Sequence, residues 1–272
     1  MTDYTIAIYC FFDDYLKISR PKEDGRRKMT DAAVITTAMV AARYFHGNLI
    51  SASCYMQQHH GIRKLDKSNF NRHLHRLSAV ISAVFFALGQ SLKELNTECK
   101  YLIDSFPVAV CRNIRIGRNR LLGEEAYRGY NASKREYFYG FKVQVITTAD
   151  GIPVEYFIVA GSTHDATAFQ AMNIDLPQGS ELFGDSAYGI YELEDLYQEL
   201  DGITLQMDRK KNSKRKDSPA EAYIKKYWRK RIETTFSEIT AFFPRHIHAV
   251  TPQGFLLKLI TFIFAYTLDK LV

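Results

Sequence analysis

Three acidic residues stand out by their surroundings. Asp104 interrupts an otherwise apolar run, YLIDSFPV (101–108), where a carboxylate is costly unless it is paired or ligates a metal. The alternative is a strand-edge residue capped by backbone N–H groups ahead of Pro107. Asp185 lies between ELFG (181–184) and SAYG (186–189), where a short strand runs out at its carboxyl end, the usual place for ligands in a parallel sheet. Alone, it also fits an Asp-based turn. Glu233 falls in WRKRIETTFSEI (228–239), at the margin of a helical stripe made by Ile232, Phe236 and Ile239. A surface Glu paired with neighbouring bases is the alternative there. Converging carboxylates suit hard divalent cations. Two such ions about 3.5–4 Å apart supply a deprotonated nucleophile and neutralise the leaving oxygen in displacement at a phosphodiester.

That chemistry requires elements that bring the three acids together. Residues 1–98 show helical periodicity, with helices expected near 4–18, 30–46, 48–59 and 68–95 and turns at Pro21, Gly25, Gly47 and Gly61. From Tyr101 the pattern becomes strand-like over 101–110, 137–148 and 152–161, with Ala149-Asp150-Gly151 as a hairpin turn. A helix over 163–172 with Thr163 as a possible cap follows, then a short strand ending in a loop over 181–188, a helix at 191–200 and a strand at 203–207. A long helix over 218–242 and a terminal apolar helix complete the chain. This order predicts an α/β fold: a ribonuclease H-like, mixed five-stranded sheet flanked by helices, with an all-helical N-terminal domain (1–98) ahead of the catalytic domain (99–272).

With 272 residues, 46% hydrophobic and 13% aromatic, the chain can bury a large core without staples. Its four cysteines, Cys10, Cys54, Cys99 and Cys111, form no CxxC pair, which argues against a zinc module or a disulfide framework and fits a reducing cytoplasm. The first residues, MTDYTIAIYCFFDDYLK, read as an amphipathic helix and not a signal. Residues 254–272 are apolar enough to suggest a membrane span, but Lys258, Asp269 and Lys270 interrupt them, so a buried core helix is expected and no membrane partner.

The net charge of +6 favours polyanionic partners. Eleven basic residues lie between Arg209 and Arg231, among them Arg215, Lys225, Lys226, Arg229 and Arg231, against only Asp217 and Glu221. The run leads directly into the helix bearing Glu233, where phosphate contacts would lay DNA across the acids; a solvated loop is the alternative. A second basic arm holds Arg112, Arg115, Arg118 and Arg120. In the helical part, SNFNRHLHRL (68–77) offers Arg72 among side chains that read bases or phosphates, with a purely supporting bundle as the alternative.

LIDSFPV, YFYGFKVQVITTADGIPVEYFIVAGSTHDATAF, FGDSAYG and RKRIETTFSEI, in this order, resemble the DDE transposases of bacterial insertion sequences, and look closest to the group numbered 982. The resemblance implies that Asp104, Asp185 and Glu233 are the catalytic acids and hold two Mg2+ (or Mn2+) ions. It marks Lys142, His164 and Asp165 as active-site neighbours; as a point charge Lys142 suits a phosphate contact, with an outward strand residue as its alternative and a helix-capping or core histidine as that for His164. It also implies double-stranded DNA partners (transposon ends and target), a homodimer in the DNA complex, and a cytoplasmic bacterial protein that joins the nucleoid when bound. Related transposases carry Tyr, Arg, Glu and Lys around the catalytic Glu; here Arg229 fits, while Lys226 stands at the Tyr position and Thr240 at the Lys position. A nuclease without strand transfer, or a non-catalytic DNA-binding descendant, are the competing readings.

Overall fold

A computed structural model describes residues 1–19, 27–112, 116–117, 119, 121–131 and 135–272. The turn expected at Pro21 and Gly25, and Arg115, Arg118 and Arg120 of the second basic arm, lie outside the described residues. The chain divides into two compact units, Met1–Ala87 with Ala241–Val272, and Leu88–Thr240.

The first unit is helical: α1 (Thr2–Ser19), α2 (Asp31–Tyr44), α3 (Leu49–His60), α4 (Lys67–Arg76), the start of α5 (Ser78–Leu95), and at the far end of the chain α9 (Pro252–Leu271). Side-chain oxygens of Thr30, Asn48, Asp66 and Thr251 cap four of these starts. Helix α2 is buried from Asp31 to Ala42 and α9 over most of its length, as expected of helices that are apolar on every face. Phe264 of α9 meets Phe12 of α1 and Phe85 of α5 edge to face, each at 5.5 Å. The terminal apolar segment is thus a core helix, with Asp269 paired to Arg43. It groups with the N-terminal helices, so this part of the expected 99–272 domain packs elsewhere than its place in the chain suggests. Among the described residues, α5 is long and apolar enough to cross a membrane by length and composition alone.

The helix expected over 68–95 is two helices. Leu77 leaves the helical range (φ −91°, ψ 2°), and its N–H reaches the carbonyls of both His73 and Leu74. Leu77 is itself buried, so packing sets the break, and hydrophobic periodicity does not register it.

The second unit is built on a sheet of β1 (Lys100–Arg112), β2 (Arg128–Asn131), β3 (Glu136–Thr148), β4 (Pro153–Ala160), β5 (Glu181–Gly184) and β6 (Thr204–Met207). The order is β2-β3-β1-β5-β6, with β4 also paired to β3. Strands β1 and β3 are antiparallel with Asp104 opposite Val145 and Ser105 opposite Gln144, while β5 pairs parallel with both β1 and β6. The mixed α/β sheet is therefore as expected but for a sixth strand. β2, RGYN, is too short to show alternation; its Gly129 is required because a Cβ would fall 2.4 Å from the Phe138 ring and 2.5 Å from the Gly161 carbonyl.

Alternate residues of β1 face opposite sides. Tyr101 and Ile103 join Ile146, Phe169 and Met172 in the core beneath α6 (Asp165–Ala171). Phe106 meets Phe236 of α8 (Pro219–Phe242) on the other side, so Asp104 faces α8 and Ser105 faces α6. Between β5 and β6 runs α7 (Tyr191–Leu200).

The end of α5 is fastened to this sheet. Gly89 lies so close to β4 that a Cβ would sit 2.3 Å from the Val154 carbonyl oxygen. Lys93, 4% exposed, donates to Glu155 at 2.5 Å and to the Asp175 carbonyl at 2.6 Å. Removing one member of a buried pair strands the other charge. Lys93→Met is therefore expected to lower unfolding stability by about 3–5 kcal/mol, with most of the loss recovered in Lys93→Met/Glu155→Leu; urea denaturation of the three proteins checks this.

Candidate active site

The sheet opens at Asp104. β1 pairs with β5 only over Lys100–Leu102 and then runs on alone along that edge, because β5 stops at Gly184 and β6 at Met207. Asp185 and Asp208 follow these two strand ends directly. Gly184 keeps the strands close: a Cβ there would lie 2.7 Å from the Met207 sulfur and 2.8 Å from Ile103. Across the opening lies α8, held by Trp228 stacked on Phe183 at 5.1 Å and by buried Ile232, Phe236 and Ile239. Glu233 sits beside that stripe, on the exposed margin, one turn after Arg229. The resulting cleft, about 130 Å³, is lined by Asp104, Asp185, Gln206, Asp208, Lys225, Arg229 and Glu233.

Its electrostatics are those of acids short of positive charge. Burial raises the Asp104 carboxyl from 3.8 to about 7, and neighbouring Asp185 and Asp165 push the same way, against the Ser105 N–H bond (2.7 Å) and Arg229. Asp185 accepts from the Ser186 N–H at 2.5 Å. Arg229 is the cation paired with these acids, while Lys225, which also lines the cleft, is bonded to Asp217: the Arg229 guanidinium lies 2.8 Å from Asp208, 3.4 Å from Glu233 and 3.7 Å from Asp185. Its own pKa rises, through the Asp208 hydrogen bond first and Asp185 next.

Among the described residues, no three acidic, histidine or cysteine side chains converge closely enough to ligate one ion as they stand. The donor set nonetheless fits hard divalent cations: all its ligands are carboxylate oxygens, Asp104 lacks compensating charge, and a guanidinium stands in for part of it.

The other residues singled out in the sequence fall into three groups. Lys142 and Asp165 lie on the sheet face away from the cleft, where Lys142 donates to the Thr163 carbonyl at 2.8 Å and pairs with Asp165 at 3.3 Å. His164, and not Thr163, occupies the N-cap position of α6; it is exposed and makes no side-chain capping bond. Within the basic run, Lys225 is buried on Asp217 at 2.6 Å, and Arg215 is held by two 2.7 Å bonds to Asp195. Arg231 is exposed with its Nε on the Ala149 carbonyl; Lys226, Lys210, Lys211, Lys214 and Lys216 are exposed too. Arg72 is exposed on α4 in the other unit, beside a cleft of about 440 Å³ that Arg27, Lys28, His73 and Arg76 also line.

Sequence reasoning passed over Asp208, although it follows β6 as Asp185 follows β5, and the same strand-end argument reaches it. Gln144 was also missed, although a polar residue between Val143 and Val145 carries the signal that marked Asp104.

A family model described as the transposase DDE domain matches residues 96–268. No curated protein and no solved structure matches the chain significantly.

An acid whose folded pKa is raised has its full stabilising effect below the unfolded value and loses it as pH climbs through the folded one. In chelator, Asp104 should therefore cost the fold stability between about pH 4 and about pH 7. Asp104→Asn is expected to melt several degrees above the unsubstituted protein at pH 8 and to match it near pH 4. Equal melting at pH 8 would show that Asp104 ionises normally.

Proposed function

The chain belongs to the DDE transposase family, and from that premise we propose that it binds insertion-sequence ends, cleaves their phosphodiester bonds and joins the freed 3′-hydroxyls to target DNA. One observation carries the reading: acids from β1, from the end of β5 and from α8 line a single cleft. Asp104, Asp185 and Glu233 would hold two Mg2+ or Mn2+ ions, which supply the activated nucleophile and neutralise the leaving oxygen. The chain's own residues do the rest. Desolvation of Asp104 strengthens its attraction for any cation in the cleft. Arg229, anchored by Asp208, presents a planar guanidinium beside the acids, suited to hold a phosphate by two bonds.

Exposed Lys226, Arg231 and the lysines of 210–216 supply positive charge next to this cleft, a setting for duplex backbone. Lys142, Lys225 and Arg215 are committed to carboxylates within the chain, so their part is to hold elements in place more than to touch DNA. We assign end recognition to the helical unit, where Arg72 and its neighbours form a basic cleft. Two ends must be held together for joining, so the active form is a homodimer on DNA, working at the nucleoid in the cytoplasm. The narrower likeness to the group numbered 982 belongs to this reading.

Purified protein with Mg2+ or Mn2+ is expected to nick and join DNA carrying the inverted repeats that flank its gene. Asp104→Ala, Asp185→Ala and Glu233→Ala should abolish both steps while keeping the circular dichroism spectrum. Cutting by Asp185→Ala would overturn the site, and cutting without joining would identify a nuclease.

The charge inventory gives a separate expectation. Replacing Lys210, Lys211, Lys214 and Lys216 with Ala should flatten the salt dependence of DNA binding, by roughly 0.9 in the log–log slope for each phosphate no longer neutralised. Lys225→Ala should leave that slope unchanged and lower the melting temperature.

A further inference from the structure

Behind the cleft, on the opposite sheet face, lies a chain of hydrogen bonds among Ser105, Asp165, Gln144 and Tyr188. Gln144 on β3 is fully buried, and both ends of its amide are used. Its Nε2 donates to Asp165 Oδ1 at 3.0 Å, and its Oε1 accepts from the Tyr188 hydroxyl at 2.5 Å. Ser105, the cross-strand neighbour of Gln144, donates its hydroxyl to the same Asp165 oxygen at 2.8 Å. The directions are fixed by chemistry: an ionised carboxylate only accepts, so the amide nitrogen must face Asp165 and the phenol must donate to the amide oxygen. Lys142 Nζ lies 3.3 Å from the same Asp165 oxygen.

The two ends of this chain reach the two aspartates. Ser105 follows Asp104 and gives its N–H to the Asp104 carboxylate. Tyr188 closes the single helical turn after Asp185, donating its N–H to the Asp185 carbonyl at 3.0 Å, with its ring wedged against Phe169. The path Asp104–Ser105–Asp165–Gln144–Tyr188–Asp185 therefore crosses from β1 to the loop after β5 through bonds that are each buried or half-buried. Pairing between β1 and β5 has already ended at Leu102, so no backbone ladder spans the gap at the acids themselves.

We propose that Gln144 is a positioning residue that, through Asp165 and Tyr188, sets the spacing of Asp104 and Asp185 for divalent cations. The proposal rests on the metal-site reading above. A buried amide between valines is costly unless both ends are bonded, and a Met would fill the same volume without that requirement. Gln144 is therefore suited to specify geometry, as groups bonded behind metal ligands do.

The test is Mn2+ binding to the full chain without DNA, followed by electron paramagnetic resonance. Gln144→Met is expected to weaken binding roughly 10- to 100-fold. Tyr188→Phe, which removes one hydroxyl and keeps the ring, should weaken it in the same direction, and the double variant should be no worse than Gln144→Met. Val154→Ala, a core truncation on β4, serves as control: it should lower the melting temperature and leave Mn2+ affinity alone. Should Gln144→Met fail to fold, Tyr188→Phe decides. The inference is overturned if the folded variants bind Mn2+ as the unsubstituted protein does while Asp185→Ala loses binding. If Asp185→Ala also binds normally, the metal site itself is wrong.

Discussion

A carboxylate in a desolvated strand with two more acids nearby is the condition around which this half of the chain is arranged. Moving the Asp104 pKa from 3.8 to about 7 corresponds to on the order of 4 kcal/mol between its protonation states. The exposed Arg229 returns only part of this, because solvent screens its pairs. A protein selected for stability alone would place an apolar residue at 104, as at 102, 103 and 106. Added positive charge, such as a proton at low pH, relieves the cost.

Holding such acids in place requires structure on both sides of the sheet. On one side Phe106, Ile232, Phe236 and Trp228 seat α8, which fixes the height of Glu233 along the cleft. On the other, Gln144 and Asp165 connect the two backbones that carry Asp104 and Asp185. Both sets depend on β5 and β6 ending early. Had these strands run on beside β1, their backbone groups would be paired within the sheet and Asp185 and Asp208 would lie inside it, not at its open end.

How legible this was depended on whether a residue's own neighbours in sequence reported its environment. Asp104 did so through the apolar run around it, and Asp185 through a strand that stops. Glu233 did not: its side chain is 67% exposed, and without the family motif nothing local separates it from an ordinary surface Glu on a helix. Most elements followed from periodicity, but the break at Leu77 and the strand β2 depend on burial and on the Gly129–Phe138 approach, which are tertiary facts. The terminal helix was expected to be core, yet the helices it joins come from the beginning of the chain, and no local pattern specifies a partner about 200 residues away.

The basic run shows the same limit. From sequence it reads as a strip of cations, but Arg209 and Arg215 find partners on α7, in a part of the chain to which nothing in the run itself points. Arg209 grips Glu194 by bonds of 2.6 and 2.8 Å, Arg215 grips Asp195, and both guanidinium groups lie over the Tyr191 ring. Lys225 is tied to Asp217 just ahead of α8. These bonds fasten the loop that leads from β6 into α8. Planar guanidinium forks suit that task, since two parallel bonds fix orientation as well as distance. The lysines of the same loop are exposed point charges on flexible stems, with no such planar fork. The loop thus divides its cations by geometry, Arg209 and Arg215 bonded to α7 and Lys210, Lys211, Lys214 and Lys216 left outward, and a count of charge alone does not separate the two.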